Sequence, residues 1–344
     1  MSDNSVFFTP WTSGGNMLEK AEKLYLKSGI LDAVQAGDIV AVKLHVGELG
    51  NPNYIRPFFV KQVLDLIREK GGKPFLTDTS TLYPLKRTNA LDHMETAVAN
   101  GFGFAPFIVA DGLKSENTVS VGTGDPLLPE VEVAGAVHQA DAMIVLSHVK
   151  GHPLSGFGGA VKNLAMGCVG KKSKLEQHRL VDLVLDEGLC QGCETCVEAC
   201  WLGLPRMEGN VAVIDSPYCM RCPICSSSCP EGAITLHNLE RLSQGLAVTA
   251  KAVASTFDPD KTAYVNFATE ISTVCDCAPI EGRMVGANQG IVAGFSLLAV
   301  EAASLARIDH QALYQEHKVD CWTQLRKLAE LEGGSGLEPE VYEV

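Results

Sequence analysis

The sequence predicts an α/β fold: a mostly parallel sheet with helices on both faces, interrupted by a small α+β insert. Three observations predict it. Short, nearly continuous apolar runs such as Asp38–His45 and Ala142–His148 alternate with longer amphipathic stretches, as strands buried on both faces alternate with covering helices. Eight of the twelve cysteines crowd between Cys190 and Cys229. The 344 residues are 46% hydrophobic and 20% charged, which allows a packed core of two domains and excludes global disorder. The expected division is residues 1–184 and 239–344 for the α/β domain and 185–238 for the insert.

In chain order, Asp38–His45 reads as a strand and Phe58–Lys70 as an amphipathic helix stopped by Gly71-Gly72. Lys73–Thr79 is the next strand, Asn89–Asn100 a helix ended by Gly101, and Phe107–Ala110 a third strand. Val131–Ala140 reads as a strand turning into a helix, Ala142–His148 as a strong buried strand, and a further helix begins near Ala160. Beyond the insert come a helix over Leu239–Phe257, a strand over Thr262–Ala268 and an apolar helix over Leu297–Ile308. This alternation implies a mostly parallel sheet with helices on both faces. The most apolar stretch, Ile291–Ile308, is broken by Glu301 and Arg307, so no run reaches the ~18 residues of a spanning helix. The opening MSDNSVFFTPWTSGG has neither a basic n-region nor an apolar core, so a soluble, cytoplasmic protein is expected.

In a reducing compartment, twelve cysteines point to metal ligation rather than disulfides. Cys190, Cys193, Cys196 and Cys200 form one C-x2-C-x2-C-x3-C run, and Cys219, Cys222, Cys225 and Cys229 form a second, 29 residues on. Three cysteines at intervals of three wrap a tight loop round three corners of an iron–sulfur cubane. The fourth, expected to begin a helix, points away to the other cluster. The expected assignment is crossed. Cys190, Cys193, Cys196 and Cys229 hold one [4Fe–4S] cluster, and Cys219, Cys222, Cys225 and Cys200 hold the other. Between the runs, PRMEGNVAVID reads as a hairpin turning at Glu208-Gly209-Asn210, with Val211, Val213 and Ile214 on the return strand. A pair of zinc knuckles is the competing reading, because C-x2-C pairs also bind zinc. The doubled four-cysteine run at such short intervals favours cubanes. The stretch resembles the bacterial two-cluster ferredoxins over about 50 residues. It departs from them in Trp201, which follows Cys200 where that family usually has proline, and in Pro223 inside the second loop.

In an open parallel sheet, ligands gather at the carboxyl ends of the strands. Here the strands end in Lys43 and His45; in Asp78, Thr79 and Ser80; and in His148, Lys150 and His152. Polar residues that merely cap strands beside solvent are the alternative. The loop PLSGFGGAVKNLAMG puts Gly156, Gly158 and Gly159 just before a helix and Lys162 in its first turn. Free amides at a helix start make an anion site, suited to a flavin phosphate or another anionic ligand. Neither the Walker nor the G-x-G-x-x-G spacing is met. Lysine and arginine outnumber acids six to one from His148 to Arg179, whereas acids outnumber them eight to two from Asp182 to Glu231. The basic run, with Lys171, Lys172 and Lys174, reads either as a solvated loop or as a hold on an anion; the acidic insert suits a basic redox partner protein. A net charge of −13 argues against binding to duplex nucleic acid. Of the remaining cysteines, Cys168, Cys275 and Cys277 either form a third metal site or are free thiols, and Cys321 reads as packing.

VKLHVGELGNPNYIRP, GGKPFLTDTSTLY, NALDHMETAVANGF, VLSHVKGHPLSGFGGAVKNLAMGC, KLEQH and the late CDC together resemble the family called domain of unknown function 362 (DUF362), in its ferredoxin-containing form. The resemblance covers most of the chain and implies an α/β domain carrying a two-cluster ferredoxin insert. The chain departs from the family after CDC, where an Asp-Pro segment ending in Asp is replaced by NQGIVAGFSLLAVEAA.

Three functions compete. In a ferredoxin-linked oxidoreductase, electrons pass between the two clusters and a small-molecule acceptor at the strand ends. Lys43, His45, His148, Lys150 and His152 would act on that acceptor, with Asp78 nearby, while Gly156, Gly158, Gly159 and Lys162 hold an anionic cofactor. In a non-enzymatic carrier or docking subunit of a larger redox complex, the α/β domain only seats the insert. A metal-centre assembly protein would use the spare cysteines.

Overall fold

Alternate residues of the central strands belong to two separate cores, and this alternation produces three layers. The computed structural model describes residues 4–334 and 336–344. Ala41, Met143, Val145 and Tyr264 face one core, beneath the helices Ala160–Gly167, Leu239–Ala254 and Leu297–Leu305. Val40, Val42, Ile144, Leu146, Val265 and Phe267 face the other, against the helices Met17–Ser28 and Pro57–Glu69. A period of two along a strand with apolar residues on both sides is what helices on both faces require.

The sheet has eight strands in the spatial order Glu340–Glu343, Ser5–Pro10, Gly290–Gly294, Thr262–Ala268, Ala142–His148, Ile39–Lys43, Lys73–Asp78 and Phe107–Val109. Gly290–Gly294 runs antiparallel to both neighbours. All other pairs are parallel. From Ile39–Lys43 the chain moves outward through Lys73–Asp78 to Phe107–Val109, then returns to Ala142–His148 on the opposite side. The carboxyl ends of Ile39–Lys43 and Ala142–His148 therefore flank a topological switch point, where the fold opens a crevice.

The expected strands and helices fall within a few residues of those observed, with one relocation. The strand in Val131–Ala140, observed as Glu130–Ala134, pairs with Thr118–Gly122 in a separate two-stranded ribbon and not in the central sheet. Among the described residues no helix is long and apolar enough to cross a membrane.

Asp182–Leu185 pairs antiparallel with Ile234–His237 and closes the cysteine-rich insert at its base. Its own small core contains Cys196, Ala212, Cys225 and Ile234. Arg206–Glu208 pairs with Val211–Val213, and Glu208 lies opposite Val211. The turn is thus Gly209-Asn210 alone, one residue shorter than expected, with Gly209 at φ 62° as a tight hairpin demands. The fourth cysteines do not begin helices, as the sequence suggested; they end them. Thr195–Ala199 stops at Cys200 (φ −75°, ψ 114°) and Ile224–Ser228 stops at Cys229 (φ −75°, ψ 113°). Helix ends with matching backbone angles, 29 residues apart, show the repeat in three dimensions.

Candidate functional site

Each half of the insert lends its last cysteine to the other half. One recess is lined by Cys200, Cys219, Cys222 and Cys225, with Trp201, Leu204, Ile214 and Met220 among its walls. A second is lined by Cys190, Cys193, Cys196 and Cys229, with Leu185, Met207 and Ile234. Four thiolates on one zinc ion, at ~2.3 Å each, would lie about 3.8 Å apart. Among the described residues, the only trio of metal-binding side chains with ligand atoms all within 4.8 Å is His152, Cys275 and Cys277.

At the strand ends, buried charges are paired with one another. Lys43 Nζ lies 3.2 Å from Asp78 Oδ1 and donates to the Leu44 carbonyl at 3.0 Å and to Asn163 Oδ1. A Cβ at Gly167 would sit 2.3 Å from the Lys43 ammonium, so only glycine leaves room for the pair. Arg87 Nε reaches Glu48 Oε2 at 3.1 Å, its Nη1 lies 3.5 Å from Asp78 Oδ2, and its Nη2 donates to the Tyr83 hydroxyl. Burial works to raise the pKa of Asp78, but Lys43, His93, Arg87 and Lys174 hold it below the usual carboxylate range.

His148 Nδ1 lies 2.8 Å from Asp276 Oδ1, and Nε2 lies 2.7 Å from the Thr269 carbonyl. Both partners are acceptors, so the ring is held between a carboxylate and a main-chain carbonyl. Lys150 Nζ lies 3.3 Å from Asp276 Oδ2 and donates to the His148 carbonyl at 2.8 Å. Against its complete burial, His148 and Lys150 hold Asp276 down at about 2. Lys43, His148 and Lys150, expected to act on a ligand, thus have their polar atoms engaged within the protein.

His45 and His152 are arranged differently. His45 Nδ1 accepts the Gly47 N–H at 3.0 Å, and His152 Nδ1 accepts from Leu154 at 3.3 Å and Ser155 at 3.2 Å. Each therefore keeps its proton on Nε2. Burial first, then neighbouring cations, Arg87 beside His45 and Lys162 beside His152, keep both rings neutral.

Cys275-Asp276-Cys277 occupies a turn closed by the Ala278 N–H donating to the Cys275 carbonyl at 3.0 Å. Lys162 Nζ lies 3.2 Å from Cys275 Sγ, and the Cys277 amide approaches the same sulfur at 3.5 Å. A hydrogen bond from the Cys277 thiol, with Lys162 and Lys150 nearby, takes the Cys275 pKa well below the ordinary thiol range and the Cys277 pKa above it.

Three expectations are corrected. The turn Gly156–Gly159 is not an open anion cradle, because the protein supplies the anion itself. Glu301 Oε1 accepts the Ala160 N–H at 2.5 Å, and a Cβ at Gly159 would lie 2.2 Å from it. Gly156, at φ +69°, and Gly158 are buried in the hairpin with Lys150–His152, and Lys162 serves Cys275. Cys168 does not join Cys275 and Cys277. It ends the helix Ala160–Gly167 beside Lys43, Asp78 and Lys174, and burial pushes its thiol up to about 12. His152 takes the third corner instead. The basic run is a helix, Lys171–His178, and not a loop; Lys174 is buried and donates to Thr79 Oγ1 at 2.7 Å. Cys321 is buried, in keeping with a packing role.

The insert sits over these strand ends. Trp201, next to Cys200, meets the Tyr83 ring edge-on at 6.2 Å between centroids. Arg221, between Cys219 and Cys222, donates to the carbonyls of Arg179 at 2.6 Å and of Val181. His178 hydrogen-bonds to the Met220 backbone. Sequence reasoning missed Glu48, Arg87, Asp276 and Glu301, since no local spacing pairs them. Asp276 had one signal, its place between two cysteines.

Fold and site together define an α/β protein with a cysteine-rich insert seated on the crevice of its sheet. The chain belongs to the family described as Domain of unknown function (DUF362), which matches residues 40–306. Among curated proteins, one subunit of the H(2):CoB-CoM heterodisulfide,ferredoxin reductase of Methanothermobacter thermautotrophicus is 34% identical over 92 residues, 22% of this chain and 14% of that protein. The Methanothermobacter marburgensis counterpart is 32% identical over the same length and shares. The match thus spans about a seventh of these relatives. Among solved structures, the lactate racemase apoprotein of Thermoanaerobacterium thermosaccharolyticum aligns with TM-score 0.41 and 12% identity, over 77% of this chain and 50% of that one. A Thermotoga maritima protein aligns with TM-score 0.39 and 12% identity, over 91% and 60%.

Two measurements probe this arrangement. Asp276→Asn leaves the buried Lys150 short of its counter-charge and removes an acceptor from His148, so thermal unfolding is expected to show a loss of about 3 kcal/mol. Glu301 is raised to about 7 by burial. An unfolded glutamate releases its proton near 4.5, so folding takes up a proton between those values and stability falls as pH rises through the window. Glu301→Gln lacks this slope. Relative to the parent chain it gains up to about 3 kcal/mol between pH 4.5 and 7, read from unfolding temperatures across that range.

Proposed function

We propose that this chain is an iron–sulfur redox protein in which the two recesses each hold one [4Fe–4S] cluster. Cys190, Cys193, Cys196 and Cys229 are assigned to one, and Cys219, Cys222, Cys225 and Cys200 to the other. When bound, such clusters supply one-electron transfer. The observation that carries this reading is the gathering of cysteines round each recess in the crossed combination. The partial likeness to a heterodisulfide reductase component supports an iron–sulfur redox role.

In this reading, residues 185–238 carry electrons and residues 1–184 with 239–344 supply the acceptor site, in the manner of a ferredoxin-linked oxidoreductase. Apolar walls such as Leu204, Ile214 and Met220 keep water from the cysteines near the α/β domain. Trp201, in the wall of that recess, meets Tyr83 at the strand ends, which gives electrons a ring-to-ring route. His45, Lys162 and Cys277, all partly exposed, are the groups left to meet an acceptor. The docking-subunit reading draws on a different observation, the internal pairing of Lys43, His148 and Lys150, which suits a scaffold.

Protein reconstituted without oxygen is expected to bind about eight irons per chain and to show broad charge-transfer absorbance near ~400 nm. The crossing has its own signature. The double variant Cys190→Ser with Cys229→Ser damages one cluster and leaves about four irons, whereas Cys219→Ser with Cys229→Ser damages both. Loss of only one cluster in the second variant means that the ligands are not exchanged.

A further inference from the structure

We propose that Cys275 and Cys277 form a redox-active dithiol that closes to a disulfide and stores two electrons at the strand ends. The inference rests on the preceding reading for its electron source, though not for the chemistry of the pair itself. Three observations carry it. The turn that holds both residues is closed by the Ala278 N–H, and their sulfurs lie within 4.8 Å of each other. Lys162 Nζ, 3.2 Å from Cys275 Sγ, provides the positive charge that a thiolate requires after the S–S bond opens. Tyr83 lies within electrostatic range of both sulfurs and meets Trp201, which adjoins Cys200, so the insert reaches the neighbourhood of the pair.

A metal ion fits this corner less well. The Lys162 ammonium beside the sulfur repels a cation. The Nδ1 lone pair of His152 already accepts two backbone N–H groups, which leaves a protonated Nε2 as a hydrogen-bond donor and not a ligand. That N–H suits a sulfur anion.

The electrons balance. Reduction breaks the Cys275–Cys277 S–S bond, takes up two electrons and one proton, and leaves a Cys275 thiolate beside Lys162 and a Cys277 thiol. Two one-electron iron–sulfur donors, each oxidised once, supply the electrons, and closure of the bond returns two electrons and one proton. The pair thereby converts single electrons into the two-electron steps that an organic acceptor or an external disulfide needs.

The test uses the full chain with its iron–sulfur centres reconstituted under argon. The protein is oxidised with oxidised glutathione, unfolded, alkylated and digested, and the peptide containing both cysteines is weighed. The expected product is an internally bridged, unalkylated peptide, which becomes doubly alkylated when the centres are reduced before unfolding. Dithionite titration is expected to take about four electrons per chain in the parent and about two in Cys275→Ser. Cys277→Ser, altered at a partly exposed position, gives the same comparison should Cys275→Ser fold poorly. Doubly alkylated peptide after oxidation, with two electrons taken by both proteins, overturns the proposal. So does a stoichiometric zinc or copper ion that is lost in Cys275→Ser. Low iron content instead overturns the cluster reading, and the peptide mass still judges the dithiol in that sample, with dithiothreitol as reductant.

Discussion

The carboxylate of Asp276 is the constraint round which the strand ends are built. It has no contact with solvent, yet the His148 ring and the Lys150 ammonium, at 2.8 Å and 3.3 Å from its two oxygens, hold its pKa down at about 2. An isolated charge at that depth would cost several kcal/mol, and a hydrogen-bonded triad offsets much of the cost only while its geometry holds. That geometry ties together three separate parts of the chain: the end of the strand Ala142–His148, the short hairpin after it, and the turn bearing Cys275 and Cys277. The Asp276 carbonyl adds a fourth, accepting the Glu48 N–H at 2.8 Å. The position of the two sulfurs is thus set by a charge that lies between them in sequence.

A second cluster of buried charge, Lys43, Asp78, Arg87 and Glu48, lies across the switch point, with no side chain more than 4% exposed. Its role is architectural. It fixes the loop that presents Tyr83, and Tyr83 is the part of the α/β domain that meets Trp201. The order runs from ion pairs to loop position, from loop position to ring contact, and from ring contact to a route between insert and crevice.

Much of the fold was legible because it depends on local periodicity. Ala142–His148 and Thr262–Ala268 match their observed bounds, since a strand buried on both faces is a continuous apolar run with sharp ends. Gly290–Gly294 escaped notice for the same reason inverted: it is fully buried and followed almost at once by the fully buried helix Leu297–Leu305, so strand and helix merge into one apolar stretch. The eight clustered cysteines were legible from spacing, and the last of each run lines the recess of the other run. The anion site was misread. A glycine-rich helix start looks the same whether its anion comes from outside or from Glu301, more than 130 residues further on, and no local pattern separates the two. Cys168 was grouped with Cys275 and Cys277 on composition, whereas the fold sends it to the far end of its helix.

The seat of the insert has a consequence for how freely this surface can drift. Arg221 grips main-chain oxygens, those of residues 179 and 181, and it does so from a left-handed backbone position at φ 46°. An anchor that reads peptide groups is indifferent to which side chain residue 179 carries. Mutation there leaves the join intact, while the guanidinium has no equivalent elsewhere in the loop. At residues 179 and 181 the receiving side is free to change its chemical character, whereas Asp182, whose carboxylate lies 3.8 Å from the same guanidinium, and Arg221 itself are not.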